Sequence, residues 1–206
     1  PGAALSLAIA EAATAAKRFT LLLTADSQSA ERLEQELGFF APELSVLHFP
    51  DWETLPYDQF SPHQDIISQR IASLYRLPEL SRGVLVVPIT TALHRLAPTR
   101  FLLGTSLVLD VGQKLNVEQM RTRLESAGYR CVDTVYEHGE FAVRGALIDL
   151  FPMGSELPYR IDLFDDEIET LRTFDAETQR SIDKVESIRL LPAREFPLDK
   201  KAVTDF

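Results

Sequence analysis

The period of the apolar residues changes once along this chain, near residue 105, and that change narrows the possible folds more than any other feature. Before it, short apolar runs alternate with amphipathic helical stretches, the sequence form of βαβ units around a mostly parallel sheet. Strands are expected at Phe19 to Leu23, Leu44 to Phe49 and Val84 to Val87. Helices are expected over Ala3 to Lys17, from Asp26 or Ser27 with Ala30, Leu33 and Leu37 inward until Gly38 ends it, from a Ser61-Pro62 start with Ile67 and Ile71 inward, and around Thr91 to Leu96; Pro98 then punctuates. After residue 105 one helix, Val117 to Ser126 with Met120 and Leu124 inward, is followed by closely spaced strands of period two, an α+β pattern. These strands are expected at Ser106 to Asp110, Tyr129 to Asp133, Glu140 to Arg144, Ala146 to Phe151, Tyr159 to Leu163, Ile168 to Phe174 and Val185 to Leu191. The fold class is therefore α/β, with boundaries near 105 and 193.

Charge bears on the choice of ligand. The formal net charge is −10, and the acidic excess is larger after residue 104 than before it. Polyphosphate binding relies on clustered Lys and Arg to displace counterions, so nucleic acid is not expected as a direct target. The single cysteine, Cys131, allows no internal disulfide and alternates within a strand, where it reads as a small core hydrophobe. No apolar run approaches the roughly 20 residues a membrane helix needs, so no membrane span is expected and the setting is read as cytoplasmic. The start at Pro1-Gly2 and the stop at Asp205-Phe206, inside what reads as a new helix after Asp199, suggest a piece of something longer.

The places where an enzyme of this class keeps its chemistry read as empty. The one candidate phosphate loop, Pro1-Gly2-Ala3-Ala4-Leu5-Ser6, has a single Gly and lacks the Lys and the Ser or Thr that would meet phosphate and magnesium. Leu163-Phe164-Asp165-Asp166-Glu167 mimics a magnesium-holding acidic motif, but it stands in the β-rich region and reads as a solvated turn. His48, His63, His94 and His138 have no metal-ligand spacing, and there is no nucleophile elbow. No catalytic residue, cofactor or metal is expected. For Trp52, in Asp51-Trp52-Glu53-Thr54-Leu55-Pro56-Tyr57, two readings stand: a loop packed by its own aromatics, or a ligand platform.

Strand alternation sorts the 137–174 stretch into faces. In Tyr159 to Phe164, Ile161 and Leu163 point inward, leaving an outward stripe of Arg160, Asp162 and Phe164. In Glu140 to Arg144, Phe141 and Val143 point inward and Glu140, Ala142 and Arg144 face solvent, just before a Gly that lets the chain turn. Aromatic and Arg anchors carry much of the energy of protein interfaces, which suits this composition to docking. The competing arrangement puts Phe164 in the core through a bulge and pairs both arginines with Asp162, Asp149 or the acidic turn.

The strings Glu137-His138-Gly139-Glu140, Arg144-Gly145-Ala146, Asp149-Leu150-Phe151-Pro152, Tyr159-Arg160 and Leu163 to Ile168, with the Trp52 motif and Ser61-Pro62-His63-Gln64-Asp65-Ile66-Ile67-Ser68, carry a family likeness. They resemble the N-terminal UvrB-homology module of the bacterial transcription-repair coupling factors (Mfd), itself similar to part of the excision-repair helicase UvrB. The resemblance runs through nearly the entire chain. It implies a degenerate helicase-like, P-loop NTPase-type parallel-sheet subdomain over 1–104, an inserted β-rich UvrB-like subdomain over 105–192, and a return to the first fold from 193. The segment from Trp52 to Gln64 leaves no room for the long damage-probing hairpin of UvrB.

The resemblance also implies a function: binding of UvrA, the damage-recognition ATPase, by the second subdomain. Carried across, the contact residues are Arg144, Arg160 and Phe164, with Asp162 in place of a UvrB Glu and Glu140 on the same face. It implies further that ATP and magnesium, RNA polymerase and DNA are handled by other domains of the full-length protein, whose C-terminal domain masks the UvrA surface. The alternatives are a brace for the motor domains and a vestigial helicase fragment with weak DNA binding.

Overall fold

The computed structural model describes residues 2–54, 61–198 and 204. Pro1, the end of the Trp52 motif from residue 55, and residues 199–203 and 205–206, where a further helix is expected, lie outside the described residues. The chain divides into two compact units, 1–96 and 97–206.

In the first unit the order is α1 (Ala3–Ala16), β1 (Phe19–Thr24), α2 (Ser27–Phe40), β2 (Val46–His48), α3 (Gln64–Arg76), β3 (Gly83–Pro88) and α4 (Ile89–Ala92). The three strands form a parallel sheet in the order β1-β3-β2, with Leu21 and Leu47 both in register with Leu85. Every residue of β3 is buried, as a central parallel strand requires. Ala10 and Ala13 of α1 and Ala30 and Leu37 of α2 pack with Val84 and Val86, the small side chains letting the helices lie close to the sheet. Gly83 opens β3 with φ 140°, and a Cβ there would come 2.6 Å from the Ser45 carbonyl oxygen, so only glycine fits.

Three helix limits differ from expectation. Gly38 does not end α2, which continues to Phe40 because Gly38 keeps helical backbone and the Ala41 N–H still donates to the Leu37 carbonyl at 2.9 Å. The third helix starts at Gln64 rather than at Ser61-Pro62, since the ring of His63 accepts from the Asp65 N–H and caps it. The helix expected over Thr91 to Leu96 is the shorter α4.

The second unit contains α5 (Thr99–Thr105), β4 (Leu107–Asp110), α6 (Val117–Ser126), β5 (Arg130–Cys131), β6 (Glu140–Arg144), β7 (Leu147–Leu150), β8 (Tyr159–Phe164), β9 (Glu167–Phe174), β10 (Ser181–Val185) and β11 (Ser187–Leu190). Helix α5 is not foreseen from sequence: Pro98 stands at its N-cap, where its missing N–H costs nothing, and so starts a helix rather than breaking one. A six-stranded sheet runs β10-β9-β8-β7-β6-β5, antiparallel except for the β5-β6 pair, and β11 pairs with β4 apart from it. The run expected as one strand from Val185 is thus two, since the chain leaves one sheet for the other at Glu186. Phe141, Ile148, Ile161, Ile168 and Leu171 form the buried face of the large sheet. Cys131 is exposed rather than a core residue, because β5 is a two-residue edge paired on one side only.

Both units together make a mixed α/β protein with parallel and antiparallel sheets. Among the described residues no helix is long and apolar enough to cross a membrane.

Candidate protein-docking surface

The 137–174 stretch folds as two hairpins joined through β7 and β8. The first closes through Gly145 and Ala146, with Arg144 opposite Leu147, and Gly145 has the left-handed φ of 64° that such a two-residue loop needs. The second closes through Asp165 and Asp166, with Phe164 opposite Glu167. Register then fixes two cross-strand rows on the face away from Ile161: Ala142, Asp149, Arg160 and Arg172 in one, Arg144, Leu147, Asp162 and Thr170 in the other.

Asp149 organises the first row. It is 1% exposed, and its carboxylate accepts from Arg160 through Nε at 2.7 Å and a terminal nitrogen at 3.0 Å, a bidentate pair, while also accepting from Arg144. Arg160 further donates to the Gln179 carbonyl at 3.2 Å and lies 4.8 Å from the Phe174 ring centre. Its hydrogen bonds to Asp149 raise its pKa, burial opposing them. Its side chain is 16% exposed, against 49% for Arg144. Asp162 accepts from the Thr170 hydroxyl at 2.8 Å.

Phe164 is 70% exposed at the end of β8, while Ile161 and Leu163 are buried. An exposed aromatic ring at a rigid hairpin end can fill a pocket on a partner. Beside it is an open groove of about 390 Å³ lined by Arg144, Leu147, Asp162, Leu163, Glu169 and Arg172, among others. The structure therefore divides the two arrangements left open by sequence: Phe164 stands in solvent, and both arginines are paired locally through Asp149.

Glu140 and Ala142 are not on a solvent face. Ala142 packs with Val135, Phe151 and Phe174, which cover this part of the sheet's second side. Glu140 is buried, and its carboxylate accepts from the Tyr136 N–H at 2.8 Å, the Glu137 N–H at 2.9 Å and Arg130 at 2.5 Å. Burial alone would raise its pKa; the two backbone N–H groups and Arg130 outweigh that and hold it below the usual value. The acidic turn is also engaged: Asp166 binds Lys114 at 2.9 Å, and its carbonyl accepts from Leu115. Among the described residues no three His, Cys, Asp or Glu side chains cluster as a metal site would need.

In the first unit Trp52 is stacked on His94, ring centres 4.8 Å apart. The guanidinium of Arg70 lies 4.5 Å from the Trp52 ring centre and 4.0 Å from that of Phe49. Asp51 accepts from Thr90, Thr91 and the Glu53 N–H; burial pushes its pKa up, but these bonds bring the net shift down. The described part of the Trp52 motif is thus packed by its neighbours.

Sequence reasoning missed Arg172. Its signal lay in register, since the residue opposite Arg160 on the next strand shares its face.

Residues 107–196 match the family described as the UvrB interaction domain. Over 205 residues the chain is 55% identical to the transcription-repair-coupling factor of Escherichia coli (strain K12), covering 100% of this chain and 18% of that protein. It is 50% identical over 206 residues to that of Haemophilus influenzae, again 100% and 18%. To that of Staphylococcus aureus (strain USA300) it is 31% identical over 196 residues, 95% and 17%. The chain thus spans less than a fifth of the length of these relatives. By these matches residues 107–196 are similar to the UvrB interaction domain, and the chain along its length is similar to a segment of the transcription-repair-coupling factors.

Proposed function

We propose that this chain is a non-catalytic adaptor that binds UvrA through the face of β8 and its neighbours, and so recruits it to RNA polymerase stalled in transcription. The observation that carries the reading is Phe164, a large apolar ring left 70% exposed on a sheet whose sequence matches the UvrB interaction domain. In this reading Phe164 fills an apolar pocket on UvrA and Arg144, half in solvent, offers the guanidinium edge not turned to Asp149. Arg160, Asp162 and Glu140 act from behind, holding the strands that present the surface. The first unit serves as a degenerate helicase-like scaffold without ATP or magnesium, both of which belong to motor domains elsewhere in the longer protein. The same surface competes with UvrB for UvrA and is covered by the C-terminal domain of the full-length protein until polymerase is engaged. The setting is the bacterial cytoplasm.

The test is titration of UvrA with this chain and its Phe164→Ala variant. An exposed ring adds little to folding, so the melting temperature stays within about 2 °C, while loss of a central aromatic anchor costs about 2 kcal/mol, roughly thirtyfold in affinity. Unchanged affinity would refute the assignment.

A further inference from the structure

The geometry points to Arg172 as the receptor for a carboxylate of the docking partner, a role that rests on the UvrA-binding reading above. In the row Asp149, Arg160, Arg172, the single acid is committed to Arg160 by two bonds and to Arg144 by a third. Arg172 therefore stands opposite a guanidinium that is already matched. Asp162, which lines the same groove, is bound by Thr170. Among the described residues no acceptor reaches Arg172, and its Nε is buried with no hydrogen-bond partner.

A buried donor without an acceptor destabilises the chain that carries it, and so do like charges directly opposite across a sheet. Among the described residues no acceptor meets the Arg172 Nε. A carboxylate entering the groove would answer the like charges, because the guanidinium of Arg172 lines the groove and the two planar groups match each other in fork geometry. The groove has room for an acidic side chain, apolar wall from Leu147 and Leu163, and Phe164 next to Leu163 on β8 as a second anchor. Its own acids, Asp162 and Glu169, and the chain's net charge of −10 repel a polyanion, which selects a singly charged carboxylate on a protein loop over phosphate or nucleic acid.

The experiment titrates UvrA with the wild-type chain, Phe164→Ala, Arg172→Met and Arg172→Lys across a salt series, with a melting curve for each. Arg172→Met is expected to weaken binding at least about tenfold and to flatten its salt dependence, while the melting temperature holds or rises. Arg172→Lys recovers part of the affinity, since it restores charge without the fork. If Phe164→Ala weakens binding and Arg172→Met does not, the Arg172 role is overturned and the partner assignment stands. A fall in the melting temperature of Arg172→Met would also overturn it, by making the side chain structural. No binding by the wild-type chain overturns both readings.

Discussion

Replacing Asp149 by Asn tests how the surface is held. In the wild-type chain this carboxylate, 1% exposed, takes two hydrogen bonds from Arg160 and one from Arg144. An amide of the same shape loses the charge and presents N–H donors where two guanidiniums also donate. Arg144 is half-exposed, so water compensates it and its share is about 0–1 kcal/mol. Arg160 is only 16% exposed and faces Arg172 across the strand pair, so its charge is left without an answer. Breaking one side of a buried pair costs about 3–5 kcal/mol. For a unit of about 110 residues, with an unfolding entropy of about 2.1 cal/mol/K per residue, that lowers the transition by roughly 13–22 °C. Calorimetry at neutral pH reads this directly. The double variant Asp149→Asn with Arg160→Met should recover part of the loss, because removing both partners leaves no orphaned charge. A shift below about 5 °C for Asp149→Asn, or no recovery in the double variant, would refute the view that one carboxylate holds the row.

Two further outcomes follow from buried charges elsewhere. Arg70 is fully buried, lies over Phe49 and Trp52 and donates to the Pro50 carbonyl, so Arg70→Ala should destabilise the first unit by about 3 kcal/mol and shift the unfolding midpoint followed by the fluorescence of Trp52, the chain's single tryptophan; an unmoved midpoint would contradict this. Glu140 has a folded pKa below its unfolded value, so its contribution is complete above the unfolded pKa of about 4.3 and is lost as pH falls through the folded one. Glu140→Gln should therefore destabilise by about 2–4 kcal/mol at pH 7, with the difference from wild type shrinking on the acid side; a difference that stays constant with pH would show that the carboxylate charge is not what binds the two backbone N–H groups.

What the sequence discloses and what it hides divide on a physical line. Alternation in Tyr159 to Phe164 places Ile161 and Leu163 inside and Phe164 outside because one face of β8 meets the core and the other does not. The same alternation in β6 misleads for Glu140 and Ala142. Period two tells which residues share a face, not whether that face meets water, and here Val135 from the segment before β6, Phe151 just after β7 and Phe174 at the end of β9 cover it. The Asp149 pair with Arg160 spans 11 positions and depends on register, which no local pattern carries. Strand β3 is legible as an apolar run because burial on both sides leaves no polar position in it to confuse the reading, whereas β1, at the edge of the described sheet, carries the exposed Leu21 and Leu23. The transfer of the chain from β10 to β11 is hidden for the converse reason, since one short apolar run serves two sheets.

This arrangement decides which substitutions can report docking at all. Reversing Arg160 to Glu would set a carboxylate against buried Asp149 and remove the bond to the Gln179 carbonyl, so lost binding in that variant would report an unfolded sheet as readily as a lost contact. Arg144 shares the same acid but is half in water, and its loss mixes a small structural cost with a docking one. Phe164 and Arg172 differ in kind: one is a ring in solvent and the other a guanidinium without an acceptor among the described residues, so neither is needed to hold the sheet. A docking surface assembled this way keeps its rigidity in the Asp149 row and its affinity in groups the free chain leaves unused. It follows that variants at Phe164 and Arg172 should lower affinity for a partner at constant stability, and variants at Asp149 and Arg160 should lower both in proportion.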